Sequence, residues 1–181
     1  MLFLERTFEA VLVEQCAPTL AGLKPASLFR WQNLPPLFPW AKKLAPYGLA
    51  IRVLNVRADA CLICLYRPAW LRRILAEPPN EAFLRRRGYR TGQGCGSLLE
   101  QLSRRFDGGF PHEIGLFLGY PLEDVEGFLK NRGQNYVCCG CWKVYGDPCA
   151  AQKCFDGYRR CTAICRERFR QGADILQLIS A

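Results

Sequence analysis

Residues 49–67 read LAIRVLNVRADACLICLYR, and this stretch decides the fold. In residues 49–56, Leu49, Ile51, Val53 and Asn55 fall on one face of an extended chain, and Ala50, Arg52 and Leu54 on the other. Residues 61–67 are nearly all apolar, the pattern of a strand covered on both sides. The Arg-Ala-Asp-Ala between them suits a hairpin loop. Two antiparallel strands are therefore expected, with helices to cover them.

Helical patterns lie on both sides. Residues 3–16 predict a helix, with Phe3, Thr7, Ala10, Val11 and Glu14 near one line. In CAPTLAGLKPASLF (residues 16–29) Pro18 and Pro25 bracket Gly22 and Lys24, which predicts a structured turn, with Ser27 able to cap a short helix. Residues 31–48 carry Pro35, Pro36, Pro39 and Pro46 and predict a rigid aromatic connection. Downstream, Pro68 suits the first turn of a helix over 68–76. Asn80 and Ser97 are candidate caps, and Gly88 a candidate stop. The segment PLEDVEGFLKNRG (121–133) has acids early and bases late, as a helix dipole favours. Strands are expected near 135–139 and 141–145, kinked apart at Gly140. Asp147 and Pro148 open a long helix to about Arg170, and a short helix ends the chain. The order predicts an α+β fold: a small, mostly antiparallel sheet (strands near 49–56, 61–67, 135–139 and 141–145) packed with several helices, in one domain over 1–181.

The totals restrict function. A chain of 181 residues, half of them hydrophobic, buries a core without staples. Its net charge of +9 calls for an anionic partner or a solvated surface; the basic residues are scattered in pairs and triplets rather than in one tail. No stretch approaches the roughly 20 apolar residues of a membrane span. Glu5, Glu9 and Glu14 interrupt the opening residues, unlike a secretion signal. A cytoplasmic location is expected, where the 11 cysteines are reduced and serve as core residues, metal ligands or reactive thiols.

Several constellations carry chemistry. His112, the lone histidine, follows a glycine-rich approach and precedes Glu113. Imidazole titrates near neutrality and can act as acid and base; the bland reading is that the pair orients and caps a helix start. In GCWKVYG (140–146) strand alternation puts Trp142 and Val144 on one face and Lys143 and Tyr145 on the other. Lys143 can hold a phosphate or carboxylate and Tyr145 can donate a proton; the alternative is an ordinary amphipathic strand. Lys24, on constrained backbone, can reach an anion or lie on the surface. Cys138, Cys141 and Cys149 are weak candidate metal ligands, so no metal is assigned. Cys154, Tyr158, Cys161 and Cys165 form one helical stripe, read as core. RRRGYR (85–90) mixes Arg with Tyr89; nucleic acid is a partner to consider but is not favoured, as no binding module accompanies the run.

The box FPHEIGLFLGYPLEDVEGFL (110–129), followed by WKVYG (142–146), resembles an uncharacterised bacterial family, domain of unknown function 3793, found mainly in anaerobic clostridia and relatives. The resemblance runs from CAPTLAGLKPASLF through LYR (65–67) and RGY (87–89) into the long last helix. It implies a cytoplasmic protein of about this size and supplies no reaction, cofactor or substrate. It falls on Lys24, on His112–Glu113 and on Lys143–Tyr145. The expectation is one pocket for an anionic small molecule, with Lys24 and Lys143 as binding groups and His112, Glu113 and Tyr145 as acid–base groups. Two other readings stand beside it: a non-enzymatic interaction protein with a basic face for an acidic partner or nucleic acid, and a cysteine-based metal or redox protein. Cofactor and oligomeric state are left open.

Overall fold

The computed structural model describes residues 7–32, 37–58 and 60–179. The expected helix positions before Thr7, together with Pro35 and Pro36, lie outside these. The fold is α+β, and the chain divides into two compact units, one of residues 1–66 with 157–181, the other of residues 67–156.

The first unit is built on the hairpin. β2 (Ala50–Arg57) and β3 (Ala60–Tyr66) pair antiparallel, and β1 (Ala26–Trp31) pairs on the other edge of β3, giving the order β1-β3-β2. β1 corrects the sequence reading: Ser27 lies within a strand and caps no helix. The register of β2 shifts between Val53 and Asn55, so Leu54 is buried and simple alternation fails there. Such a bulge sets two residues against one on the partner strand. The central strand is covered on both faces, since Cys61, Ile63, Cys64 and Leu65 are all buried.

α1 (Phe8–Leu20) starts at Thr7, whose hydroxyl accepts from Ala10 N. It runs through Pro18, further than expected, and then turns sharply: Leu23 N and Lys24 N both donate to Pro18 O, with Gly22 at φ 75°. The Thr19 and Ser27 hydroxyls, buried, share a 2.8 Å hydrogen bond that ties the end of α1 to β1. Leu12, Cys16 and Leu20 share one core cluster with Phe29, Ile63 and Leu65, and with Cys161 and Cys165 of the last helix. The proline-rich connection contains α2 (Leu37–Leu44), with Pro39 in its first turn, where a missing N–H costs nothing.

The second unit is mostly helical: α3 (Pro68–Leu75), α4 (Pro78–Arg86), α5 (Gly94–Arg105), α6 (Ile114–Phe117), α7 (Leu122–Asn131) and a small hairpin of β4 (Cys138–Cys139) and β5 (Lys143–Val144). Asn80 and Ser97 lie inside α4 and α5 rather than capping them; the Asn80 amide donates to Ile74 O. α8 (Pro148–Arg170) is capped as expected by Asp147, which accepts from Cys149 N and Ala150 N. Its buried stripe includes Ala151, Phe155, Cys161 and Cys165, but Cys154 is exposed, which corrects its assignment to the core. No helix among the described residues is long and apolar enough to cross a membrane.

Leu12 is fully buried in the first unit. Replacing it with Ala should destabilise that unit by about 2–5 kcal/mol. Hydrogen exchange of α1 and β3 amides would read the loss, and unchanged protection would show that α1 does not hold the sheet.

Candidate functional site

The helical segment 110–129 and the hairpin 138–146 interlock through one carboxylate. Asp124, in the first turn of α7, is buried. Its Oδ2 accepts from Trp142 Nε1 at 2.7 Å, and its Oδ1 accepts from Tyr145 N and Gly146 N at 2.7 and 2.8 Å. A buried carboxylate needs such donors, because leaving charge unsatisfied away from water is costly. Trp142 stacks on Tyr120, with centroids 4.7 Å apart, and meets Phe155 edge-on. Trp142 and Val144 thus face inward, and Lys143 and Tyr145 outward, as strand alternation predicts.

Lys143 and Tyr145 both reach the turn that ends α7. Lys143 Nζ donates to Gly133 O at 2.7 Å, and Tyr145 Oη donates to Gln134 O at 3.0 Å. The turn needs left-handed backbone at Arg132 (φ 52°), Gly133 (φ 74°) and Asn135 (φ 58°). A Cβ on Gly133 would press on the Phe128 ring, and one on Gly127 would overlap the Tyr145 ring. Desolvation raises the Tyr145 hydroxyl pKa, with Tyr136 and Asp124 adding to it, so the phenol serves as a neutral donor.

His112 and Glu113 part company. Glu113 points inward, its side chain 3% exposed, and accepts from Tyr89 Oη at 3.0 Å, with Arg87 and Arg105 each 3.4 Å away. Arg105 also lies over the Tyr89 ring at 4.0 Å and donates to Arg87 O. Burial, then the Glu113 carboxylate, raises the Tyr89 pKa, so the phenol stays protonated as the donor of this knot. His112 points outward, between the rings of Phe110 (5.3 Å) and Phe128 (4.8 Å). Lys143 Nζ lies 5.8 Å from the same Phe128 centroid and 4.9 Å from that of Tyr136. His112 and Lys143 are thus brought to one ring, with Tyr145 on the adjoining turn. Lys24 belongs to the other unit, where its ammonium is 5.8 Å from the centroid of the Tyr158 ring.

A family model described as "Protein of unknown function (DUF3793)" matches residues 12–179. The chain belongs to DUF3793. Nothing matches among curated proteins or among solved structures.

In this DUF3793 chain the basic run 85–90 is largely used internally. Arg85 is held by Glu81 and Thr91, Arg86 by Glu126 and Arg87 by Glu113, while Tyr89 is buried. The CCGC segment forms β4 and the start of the β4–β5 turn, with Cys139 and Cys141 exposed and Cys138 half-buried. Among the described residues no group of three or more His, Cys, Asp or Glu is placed to hold a metal ion. Burial raises the Cys16 thiol and pushes Cys64 and Cys161 up to about 12, which keeps them protonated. A cavity of about 200 Å³ is lined by Arg72, Leu75, Glu81, Thr91, Cys95 and Leu98 among others, and none of the candidate site residues lines it. Sequence reasoning took Asp124 only as a dipole partner; its role across to Trp142 leaves no local mark. Phe128 and Tyr136 were missed for the same reason.

Asp124→Asn keeps the size but replaces one acceptor oxygen by an N–H₂ group facing donors. It should destabilise the second unit by about 2–3 kcal/mol and shift the Trp142 indole N–H resonance. An unchanged unfolding midpoint would remove Asp124 as the clamp. Gly127→Ala should displace Tyr145 and cost about 1–3 kcal/mol; wild-type stability in urea would contradict that contact.

Proposed function

We propose that the protein is a binding protein, not an acid–base enzyme, and that it holds an anionic group against His112 and Lys143. One observation carries this reading: the imidazole and the ammonium lie against the same Phe128 ring, while Glu113 is turned away into its knot with Tyr89, Arg87 and Arg105. An imidazole acting as general base is commonly oriented by a carboxylate. Here the neighbouring carboxylate is engaged inside the unit, and the outward groups are two cation-capable side chains framed by aromatic rings. Lys143 has three donors, one of them spent on Gly133 O. That bond fixes the position of the charge, and a fixed charge loses less entropy on binding. Tyr145 supports the turn rather than reacting. Lys24 has no part in this reading. The buried free thiols fit a reducing, cytoplasmic setting.

The one histidine gives unambiguous imidazole C–H signals in NMR. Titration with inorganic pyrophosphate at constant ionic strength should move them saturably. Lys143→Met, which keeps the apolar stem, should weaken the apparent affinity about tenfold, the order expected for one charge-assisted hydrogen bond. Signals that stay put throughout the titration would sink the proposal.

A further inference from the structure

The His112–Lys143 pair sits within a longer surface stripe. Buried Phe106 supports Phe110 edge-on at 5.5 Å; Phe110 then meets His112 at 5.3 Å, and His112 meets Phe128 at 4.8 Å, both with tilted rings. Lys143 follows over Phe128 and over Tyr136. The two ends are open: Phe110 is 51% exposed and Tyr136 43%, with Val137 beside it at 62%. Lys130 and Arg132, both exposed, add charge where α7 ends. Glu113 is paired inside the unit with Arg87 and Arg105, Glu126 is paired at the surface with Arg86, and Asp124 is occupied by Trp142. Asp107, exposed on the turn before Phe110, and Glu123, exposed in the first turn of α7 with its carboxylate beside Gly146, are acids that oppose them. The face is therefore aromatic and net basic, on a chain of charge +9.

We infer that this stripe binds single-stranded nucleic acid, with bases stacked on Phe110 and Tyr136 and the backbone phosphates held by His112, Lys143 and Arg132. The inference deepens the anion-binding reading above and rests on it. A small phosphate has no use for exposed rings on either side of its cations. An acidic peptide offers carboxylates but few flat faces for open rings. A duplex keeps its base faces stacked inside, whereas an unpaired strand presents a flat face and a negative charge at every residue. The run RRRGYR, which suggests nucleic acid in the sequence, is not part of this stripe, because its tyrosine is buried and its first three arginines are paired.

The test is fluorescence anisotropy with a labelled thymidine 12-mer, its duplex with a complementary 12-mer, and polyglutamate of matched charge, across salt concentrations. The single strand should bind most tightly, and Phe110→Ala and Tyr136→Ala should each weaken it about tenfold. Arg132→Asn retains a residue that tolerates left-handed backbone, so the turn should persist. It should lower the slope of log affinity against log salt by about 0.7. Circular dichroism establishes that each variant is folded. Equal or tighter binding of duplex or polyglutamate, or ring variants that bind as the parent does, would overturn the inference. If the His112 signals still move with pyrophosphate while the 12-mer fails to bind, only this inference falls; if neither ligand acts, both readings fall.

Discussion

The hairpin of the second unit is held to α7 by one buried carboxylate, Asp124. It draws one indole N–H and two backbone N–H groups to itself, and so fixes residues 142–146 against α7. Everything outward of that strand follows. With Trp142 and Val144 held inside, alternation sends Lys143 and Tyr145 to the turn at 133–134, and their hydrogen bonds support a backbone with three consecutive or near-consecutive left-handed residues. Each such non-glycine residue costs free energy that its surroundings must offset. Two side-chain donors to the turn's carbonyls provide part of that offset.

Glu113 solves the same problem differently. Asp124 is satisfied by neutral donors at 2.7–2.8 Å, whereas Glu113 has one close phenol and two guanidinium groups at 3.4 Å. The first arrangement is short and directional. The second is looser and Coulombic, and half-buried Arg105 is further positioned by stacking on Tyr89 and by donating to Arg87 O. Both carboxylates are committed to structure, since removing a partner from a buried charge is far costlier than the net worth of the pair. The polar residues that attract attention in the sequence therefore divide: Glu113 turns inward, Lys143 and Tyr145 brace the turn at 133–134 from the outward side of β5, and His112 faces outward.

Some of this was legible. The hairpin at 49–67, the cap and start of α8 at Asp147–Pro148, and the alternation across Trp142–Tyr145 all follow from local pattern, and the structure contains them. β1 was not legible. ASLFRW lies between a turn and a polar residue with no clear period, and it becomes a strand by pairing with β3 some 35 residues away; strand formation depends on partners more than on intrinsic preference. The bulge at Leu54 was hidden for a related reason, since register is a property of two strands. For the candidate site, the motif boxes named residues and left their orientation open. They could not say which way Glu113 points, because a Glu beside a His at a helix start reads the same whether it meets water or a buried tyrosine.

The tethering of Lys143 bears on what kind of ligand this face suits. A lysine on a free stem is a mobile charge with about 2 kcal/mol of rotamer entropy to lose on binding. Bonded to Gly133 O and lying over two rings, this one has already lost much of that freedom. The cost was met in folding, through the Asp124 clamp that sets β5. What the arrangement gives up is adaptability, because a fixed ammonium meets an anion only at the position where folding has set it. It favours a ligand that brings its charge and its own flat surface to a preset spacing, and an imidazole held between two rings extends that spacing along the stripe. The rigidity that holds Tyr145 to the turn and Glu113 in its knot is thus the same rigidity that gives the outward face a defined pattern.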